Sequence, residues 1–352
     1  MSVTPPVHHE GGAPTGPSRD EARTFEWFDP SGRRASHYED VTVDTQPSPE
    51  RHLGREYSVF FEDGRSTWDS RSTALRHDDW FAFRDPNELW ERTFYQGGAS
   101  YERQIEETIA VARGDGQPAR LRPEWVEYLR ANLQQEAFVE QGLWLVLASA
   151  ARDALSDTVA HFVVFDAGFK QRQAQAVVLY AMDLEEDHGE FPIEAARQSW
   201  LDDEPWQPAR AYVERLATVA DWAEVLVAAN LCLEPVLGVL LRRELYERGG
   251  ATNEDTVTPV IFHAAQTEWQ KVNRFMAALV GFLVGHETHG AHNREVLQGW
   301  LDTWLPQARA AAEALEPLFA ARPDEPDFGA ARALVEGELA ASLEPFGLRV
   351  DA

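Results

Sequence analysis

The sequence predicts an all-α fold: a long four-helix bundle with extra helices and an extended N-terminal arm. Three observations carry this. After Pro123, apolar residues recur at three- and four-residue steps over long stretches; helix caps stand at the ends of those stretches; and strand-like alternation is sparse. The stretches run roughly 25 to 30 residues, about twice an ordinary globular helix. At 1.5 Å per residue each would span roughly 40 Å.

Residues 1–24 are rich in Pro and Gly and repeat nothing apolar, which predicts a disordered tail. From 25 to 116 short aromatic clusters sit between turn formers such as Asp29-Pro30, Asp63-Gly64 and Asp85-Pro86. This texture is too apolar for a linker and too aperiodic for a helical domain, and it predicts an extended arm made for subunit packing. Asp85 as N-cap and Pro86 at the first helical position would start a helix carrying Leu89, Trp90 and Phe94.

The first long helix is expected over about 123–154, with Trp125, Leu129, Leu133, Phe138 and Leu145. The second would start at Asp157 as N-cap and end near Asp187, before Gly189. A shorter helix at about 208–219 leads to the third, about 221–248, stopped by Gly249-Gly250. Pro235 inside it should kink it and deprive the Leu231 carbonyl of its amide donor. The fourth is expected over about 259–285, capped by Thr258, and helical segments at about 291–320 and 329–345 close the chain. The apolar runs Val159–Phe165 and Leu231–Leu241 are too wide for a single stripe, so these helices should be covered on more than one side. The bundle is placed at 117–288 and the C-terminal helices at 289–352.

Composition excludes several classes. The 352 residues include 59 acidic and 32 basic side chains, a formal net charge of −27, so no nucleic acid and no anionic membrane surface is an expected partner. A single cysteine, Cys232 within Leu231-Cys232-Leu233, rules out an intrachain disulfide, a cysteine zinc site or an iron–sulfur cluster, and its setting is that of an inert core thiol. With 44% hydrophobic residues and 12 Trp the chain is not disordered as a whole. The N-terminus lacks an apolar signal segment, and Leu226–Leu241 is interrupted by Asn230, Glu234 and Pro235, so a soluble cytoplasmic protein is expected.

Long bundles with inward carboxylates can hold a di-iron centre, which needs a Glu from each of two helices and a Glu-x-x-His pair from each of the other two. The chain has one such pair, Glu185 and His188, at a helix end beside Gly189. On the fourth helix the corresponding run is Glu268-Trp269-Gln270-Lys271, and a protonated Lys has no lone pair for a metal. Glu234 is flanked by apolar residues and Pro235. A complete di-metal site within the chain is not expected. His286, His289 and His292 form a second suggestive set, but Gly285 and Gly290 interrupt it, and an inter-helix turn is the simpler reading. Nucleophile elbows, phosphate loops and dinucleotide fingerprints are absent. Carboxylate pairs such as Glu106-Glu107 read as solvated faces. Asp166, Lys170, Arg172 and Gln173 lie among apolar residues of the second helix. Asp166 and Lys170, four apart, could pair, so that polar groups satisfy one another inside a metal-free bundle.

Several segments resemble a known family. They are Tyr38-Glu39-Asp40-Val41-Thr42-Val43-Asp44 running to Gln46-Pro47-Ser48-Pro49-Glu50-Arg51-His52-Leu53, then Phe83-Arg84-Asp85-Pro86-Asn87-Glu88-Leu89-Trp90-Glu91. Arg172-Gln173-Ala174-Gln175 with Leu179-Tyr180 and Asp183-Leu184 follows, then Asp221-Trp222-Ala223-Glu224 with Asn230 and Leu233-Glu234-Pro235, and finally His289-Gly290 with Asn293-Arg294-Glu295. In this order, over roughly 25–305, they are similar to the small (beta) subunit of the hydroxylase component of soluble di-iron, bacterial multicomponent monooxygenases. The propane monooxygenase type is nearest, with alkene and other short-chain alkane monooxygenases next.

The resemblance implies a ferritin-like bundle without metal ligands and a non-catalytic subunit. Catalytic, cofactor-binding and metal residues would all be none in this chain. It implies a large (alpha) subunit holding the di-iron centre, a second copy of this chain in the assembled hydroxylase, a gamma subunit in some groups, a coupling protein, and a reductase with FAD and [2Fe–2S] fed by NADH. Trp27, Phe28, Tyr38, Phe60, Phe61, Trp68, Trp80, Phe81 and Trp90 are the arm aromatics expected at the subunit interface. Two other readings stay open from the residues alone: a self-contained di-metal oxidase of the same fold, and a helical interaction module unrelated to oxygenation.

Overall fold

The computed structural model describes residues 28–32, 34–43, 45 and 69–350. The tail and the aromatics Trp27, Phe60, Phe61 and Trp68 lie outside the described residues. Among those described there are helices and turns and no strand.

The elements are α1 (His37–Thr42), α2 (Glu91–Gly114), α3 (Pro123–Asn132), α4 (Gln135–Ala151), α5 (Asp157–His188), α6 (Ile193–Asp202), α7 (Gln207–Leu216) and α8 (Trp222–Thr252). After them come α9 (Val257–Val284), α10 (Gly290–Glu313), α11 (Glu316–Ala321) and α12 (Phe328–Leu343). Helices α4, α5, α8 and α9 form the bundle. Its centre is closed by large side chains: Phe162 of α5 lies flat on Phe275 of α9, ring centroids 3.8 Å apart.

Several boundaries differ from expectation, and a specific hydrogen bond marks each difference. The first long helix is broken at residues 133–134, where the hydroxyl of Tyr246 donates to the carbonyl of Asn132 at 2.5 Å. Ser156, not Asp157, caps α5, its Oγ accepting the amide of Val159. Asp255, not Thr258, caps α9: its Oδ1 accepts the amides of Val257 and Thr258, and its Oδ2 also receives the indole N–H of Trp125 at 2.9 Å.

Helix α8 runs straight through Gly249-Gly250, both buried. Pro235 does not break it, because Ala228–Gly238 is wound as a wide π-type stretch. In an i→i+5 register the carbonyl of residue 231 faces the amide of residue 236 rather than the proline nitrogen. By length and apolarity this 31-residue helix would pass for a membrane span, contrary to the reading of 226–241, but 94% of its most apolar window is buried inside the protein. That is the signature of a core helix.

The region expected to be an extended arm contains α2, a helix of 24 residues. Asp85 does cap, accepting the amides of Asn87 and Leu89, but it caps a turn: Glu88 has φ +45, and the helix begins only at Glu91. Segment 69–90 is strapped to the bundle by side chains from distant helices. The carboxylate of Asp221 accepts the amide of Ala74 at 2.6 Å, and the amide side chain of Asn293 bonds both the N–H (2.9 Å) and the carbonyl (2.8 Å) of Arg76.

Candidate functional site

Five carboxylates turn into the bundle: Glu136 and Glu140 from α4, Asp166 from α5, Glu234 from α8 and Glu268 from α9, all buried. The i, i+4 spacing of 136/140, 166/170 and 230/234 sets each pair on one helical face. Two cations lie among them. Lys170 Nζ is 2.8 Å from Glu234 Oε2 and 3.4 Å from Glu140 Oε2. The Arg242 guanidinium reaches the same two carboxylates, at 2.9 Å to Glu140 Oε1 and 2.5 Å to Glu234 Oε2. Gly238 lets this happen, since a Cβ there would stand 2.7 Å from Arg242 Nη2 and 3.0 Å from the Glu234 carboxyl carbon. Asn230 Nδ2 donates to Asp166 Oδ2 at 2.7 Å, Gln173 Nε2 donates to Glu136 Oε1 at 3.3 Å, and Arg172 pairs with Glu268. The cavity left between these side chains is about 10 Å³, room for at most one water.

The electrostatics sort the carboxylates by partner. Burial pushes every one up. For Glu234 the two cations overrule burial and hold the carboxyl at about 2. Asp166, with only an amide donor in contact, is pushed by burial to about 6. Burial and the neighbouring Glu140 raise Glu136 well above the carboxylate range. In keeping with this, Glu136 Oε2 and Asp166 Oδ1 have no hydrogen-bond partner among the described residues. Glu268, opposite Arg172, is raised by burial to about 7. Lys170 remains an ammonium, because Glu140 and Glu234 outweigh the burial that would discharge it.

These residues do not fit a di-metal centre. Three positions after the inward carboxylates stand Val139, Leu143, Phe169, Leu237 and Lys271, so an imidazole is missing from every place a Glu-x-x-His pair needs one. The space between the carboxylates is filled by an ammonium and a guanidinium, which repel a metal cation. Asp166 and Lys170 are not within ion-pair distance of each other, contrary to expectation: Asp166 meets Asn230 of α8, while Lys170 meets Glu234 of α8 and Glu140 of α4. Sequence reasoning passed over Glu136, Glu140 and Arg242. The available signal was polar residues four apart, 136/140 and 230/234, inside otherwise apolar helical stretches.

The other candidates fall elsewhere. Glu185 ends α5 by accepting the amide of Phe191 at 2.7 Å, and His188 is the last residue of that helix. Cys232 is buried, and burial pushes its thiol up, away from a reactive thiolate. His292 bonds the carbonyl of Ala74, whereas His286 and His289 both face Asp78, more than two hundred residues earlier, which no local spacing pairs with them.

The model for methane/phenol/alkene hydroxylases matches residues 59–287. The chain belongs to this hydroxylase family. It is 32% identical over 305 residues to the propane 2-monooxygenase hydroxylase small subunit of Gordonia sp. (strain TY-5), covering 86% of this chain and 83% of that protein. To the protein so described in Rhodococcus jostii (strain RHA1) it is 33% identical over 317 residues, 90% and 86% of the two chains. A crystal structure of phenol hydroxylase from Pseudomonas sp. OX1 superposes with a TM-score of 0.77 at 24% identity, over 91% of this chain and 92% of that one. The ferritin-like fold of the hydroxylases is thus the fold of this chain.

Within this hydroxylase fold the arm aromatics divide. Tyr38 is 3% exposed, its hydroxyl accepting the amide of Asp85, and Trp80 is 8% exposed, set edge-on against Trp222 at 5.6 Å. Both pack into the chain's own core, Tyr38 from α1 and Trp80 from segment 69–90. Phe28, Phe81 and Trp90 are half-buried. Among the described residues, the exposed large apolar side chains lie on the helices, including Tyr95 and Val111 of α2, Leu145 of α4, and Val164, Leu179 and Met182 of α5.

Proposed function

We propose that this chain is the small, non-catalytic subunit of a hydrocarbon hydroxylase. Its partner is a large subunit whose di-iron centre inserts one oxygen atom of O2 into propane, another short alkane or an alkene. The observation that carries this is the Lys170–Arg242 cluster. In a fold that elsewhere in the family belongs to oxygenases, this chain fills the carboxylate-lined centre with its own cations and has no imidazole there. Its contribution is mechanical: a rigid bundle whose outer faces brace the neighbouring subunit and hold that subunit's ligand helices in register.

The exposed apolar residues of α2, α4 and α5, with Phe28, Phe81 and Trp90 at the edge of the arm, form the face offered to the large subunit. An obligate interface of this kind resembles a domain core cut in half. Electrons come from NADH through a separate reductase carrying FAD and [2Fe–2S]. A coupling protein, a second copy of this chain and, in some assemblies, a gamma subunit complete the cytoplasmic enzyme.

Co-expression with a larger chain bearing two Glu-x-x-His motifs tests the reading. The two chains should copurify, the iron should follow the larger one, and turnover on a panel of short alkanes and alkenes should need both. Stoichiometric iron in this chain, or oxygenation by it alone, would overturn the proposal in favour of a self-contained di-metal oxidase.

A further inference from the structure

We propose that Asp78, His286 and His289 form a surface site for one divalent transition metal of the zinc class. The site is separate from the bundle core and stands independently of the subunit role.

The ligand atoms come from two segments far apart in sequence and lie within 4.8 Å of one another. His289 Nε2 is 2.8 Å from Asp78 Oδ1 and His286 Nε2 is 3.4 Å from Asp78 Oδ2. Donors at about 2.0–2.2 Å from a tetrahedral metal sit roughly 3.3 Å from one another, so rotamer adjustments suffice. Two imidazoles and one carboxylate suit Zn²⁺, Co²⁺ or Ni²⁺ better than the hard cations Mg²⁺ and Ca²⁺.

The framework holds the donors in place. The two histidine rings stack with centroids 4.9 Å apart, and His77 braces His286 edge-on at 4.3 Å while lying on Phe282 at 3.8 Å. The backbone before Asp78 is fixed by the bonds of Asn293 to Arg76 and of His292 to Ala74. Asp78 itself is 67% exposed, which leaves the remaining coordination positions to water. Without metal, Nδ1 of His286 accepts the amides of Thr288 and His289 at 3.2 Å each, which puts the ring proton on Nε2. Metal capture moves that proton to Nδ1 and gives up those two long contacts, so the site is a moderate binder rather than a tight structural one. When filled, it staples segment 69–90 to the turn between α9 and α10.

The test uses the full chain in whatever subunit assembly it purifies, stripped of loosely held metal and titrated with Co²⁺ and then Zn²⁺. Wild type is compared with Asp78→Asn, His289→Gln and, as a control, His292→Gln, which keeps a donor for the Ala74 carbonyl. Metal held elsewhere cancels in the comparison. The wild type and His292→Gln should take up one more Co²⁺ per chain, with visible d–d absorption that Zn²⁺ displaces. Asp78→Asn and His289→Gln should each weaken that uptake by at least about tenfold. Equal uptake by wild type and Asp78→Asn, or no additional uptake by the wild type, would overturn the proposal. Because Asp78 is exposed, its amide variant folds and keeps the comparison decisive should His289→Gln not.

Discussion

Lys170 and Glu234 meet across α5 and α8, ammonium to carboxylate at 2.8 Å, and Arg242 closes on the same carboxylate from two turns further along α8. A cation pair therefore occupies the middle of a bundle whose four helices all send carboxylates inward. Burying charges this deeply is tolerable only because each cation meets two acids.

Removing one partner should consequently be costly. Lys170→Met leaves Glu140 and Glu234 sharing a single guanidinium, and a loss of about 3–5 kcal/mol is expected. Adding Glu140→Gln should recover a large part of it. The shift of the thermal midpoint measures both, and a single variant as stable as the wild type would refute the account.

Asp166 predicts a pH dependence. Its carboxyl is held by burial at about 6 in the folded chain, against an ordinary value of 3.8. The folded state thus binds the proton more tightly than the unfolded one, so this residue's contribution to stability falls as pH rises from about 4 to about 6 and is flat above. Asp166→Asn should remove that slope, gaining up to about 3 kcal/mol over the wild type above pH 6 and nothing below pH 4. Thermal midpoints across pH 4–8 read it directly, and parallel curves for the two proteins would count against it.

Gly168 seats α2. A methyl at this position would lie 2.6 Å from Cζ of Phe94, whose ring stacks on Phe165 with centroids 4.8 Å apart. Gly168→Ala should cost about 1–3 kcal/mol by overpacking and expose 91–114 to protease. Phe94→Leu in the same chain should restore protection. Protease resistance unchanged in the single variant would show that α2 docks independently of this contact.

The α5 face should matter to a partner and not to the fold. Leu179 and Met182 are 63% and 58% exposed. Replacing both by Asp is expected to leave the helical circular-dichroism signal and melting of the chain within about 0.5 kcal/mol of wild type, while copurification with the large subunit drops sharply. Retained copurification would move the interface to another face.

Legibility in the sequence followed the range of the interactions. The long helices were visible because apolar periodicity and caps are local: the third was expected from about 221, and Asp221 caps α8 by accepting the amides of Ala223 and Glu224. The break at 133–134 was not, because the hydroxyl responsible belongs to Tyr246, more than a hundred residues away. Helix α2 was hidden by Gly97-Gly98 and many charges, and it is a helix because α5 and α9 offer it a surface. At the candidate site the missing Glu-x-x-His pairs could be read directly, and so could the oddity of Lys170 in an apolar stretch. Its partners could not, since Glu140 and Glu234 come from two other helices, as does Arg242, which shares them.

By itself, then, the sequence determined the helical class, the family resemblance and the lack of a di-metal ligand set, all properties of residue type and local spacing. Only the tertiary structure decided which carboxylates surround which cation, that Tyr38 and Trp80 face inward, and that Asp78 joins His286 and His289. Those are contacts between segments distant along the chain. Packing fixes them, and no periodicity encodes which distant residue will arrive.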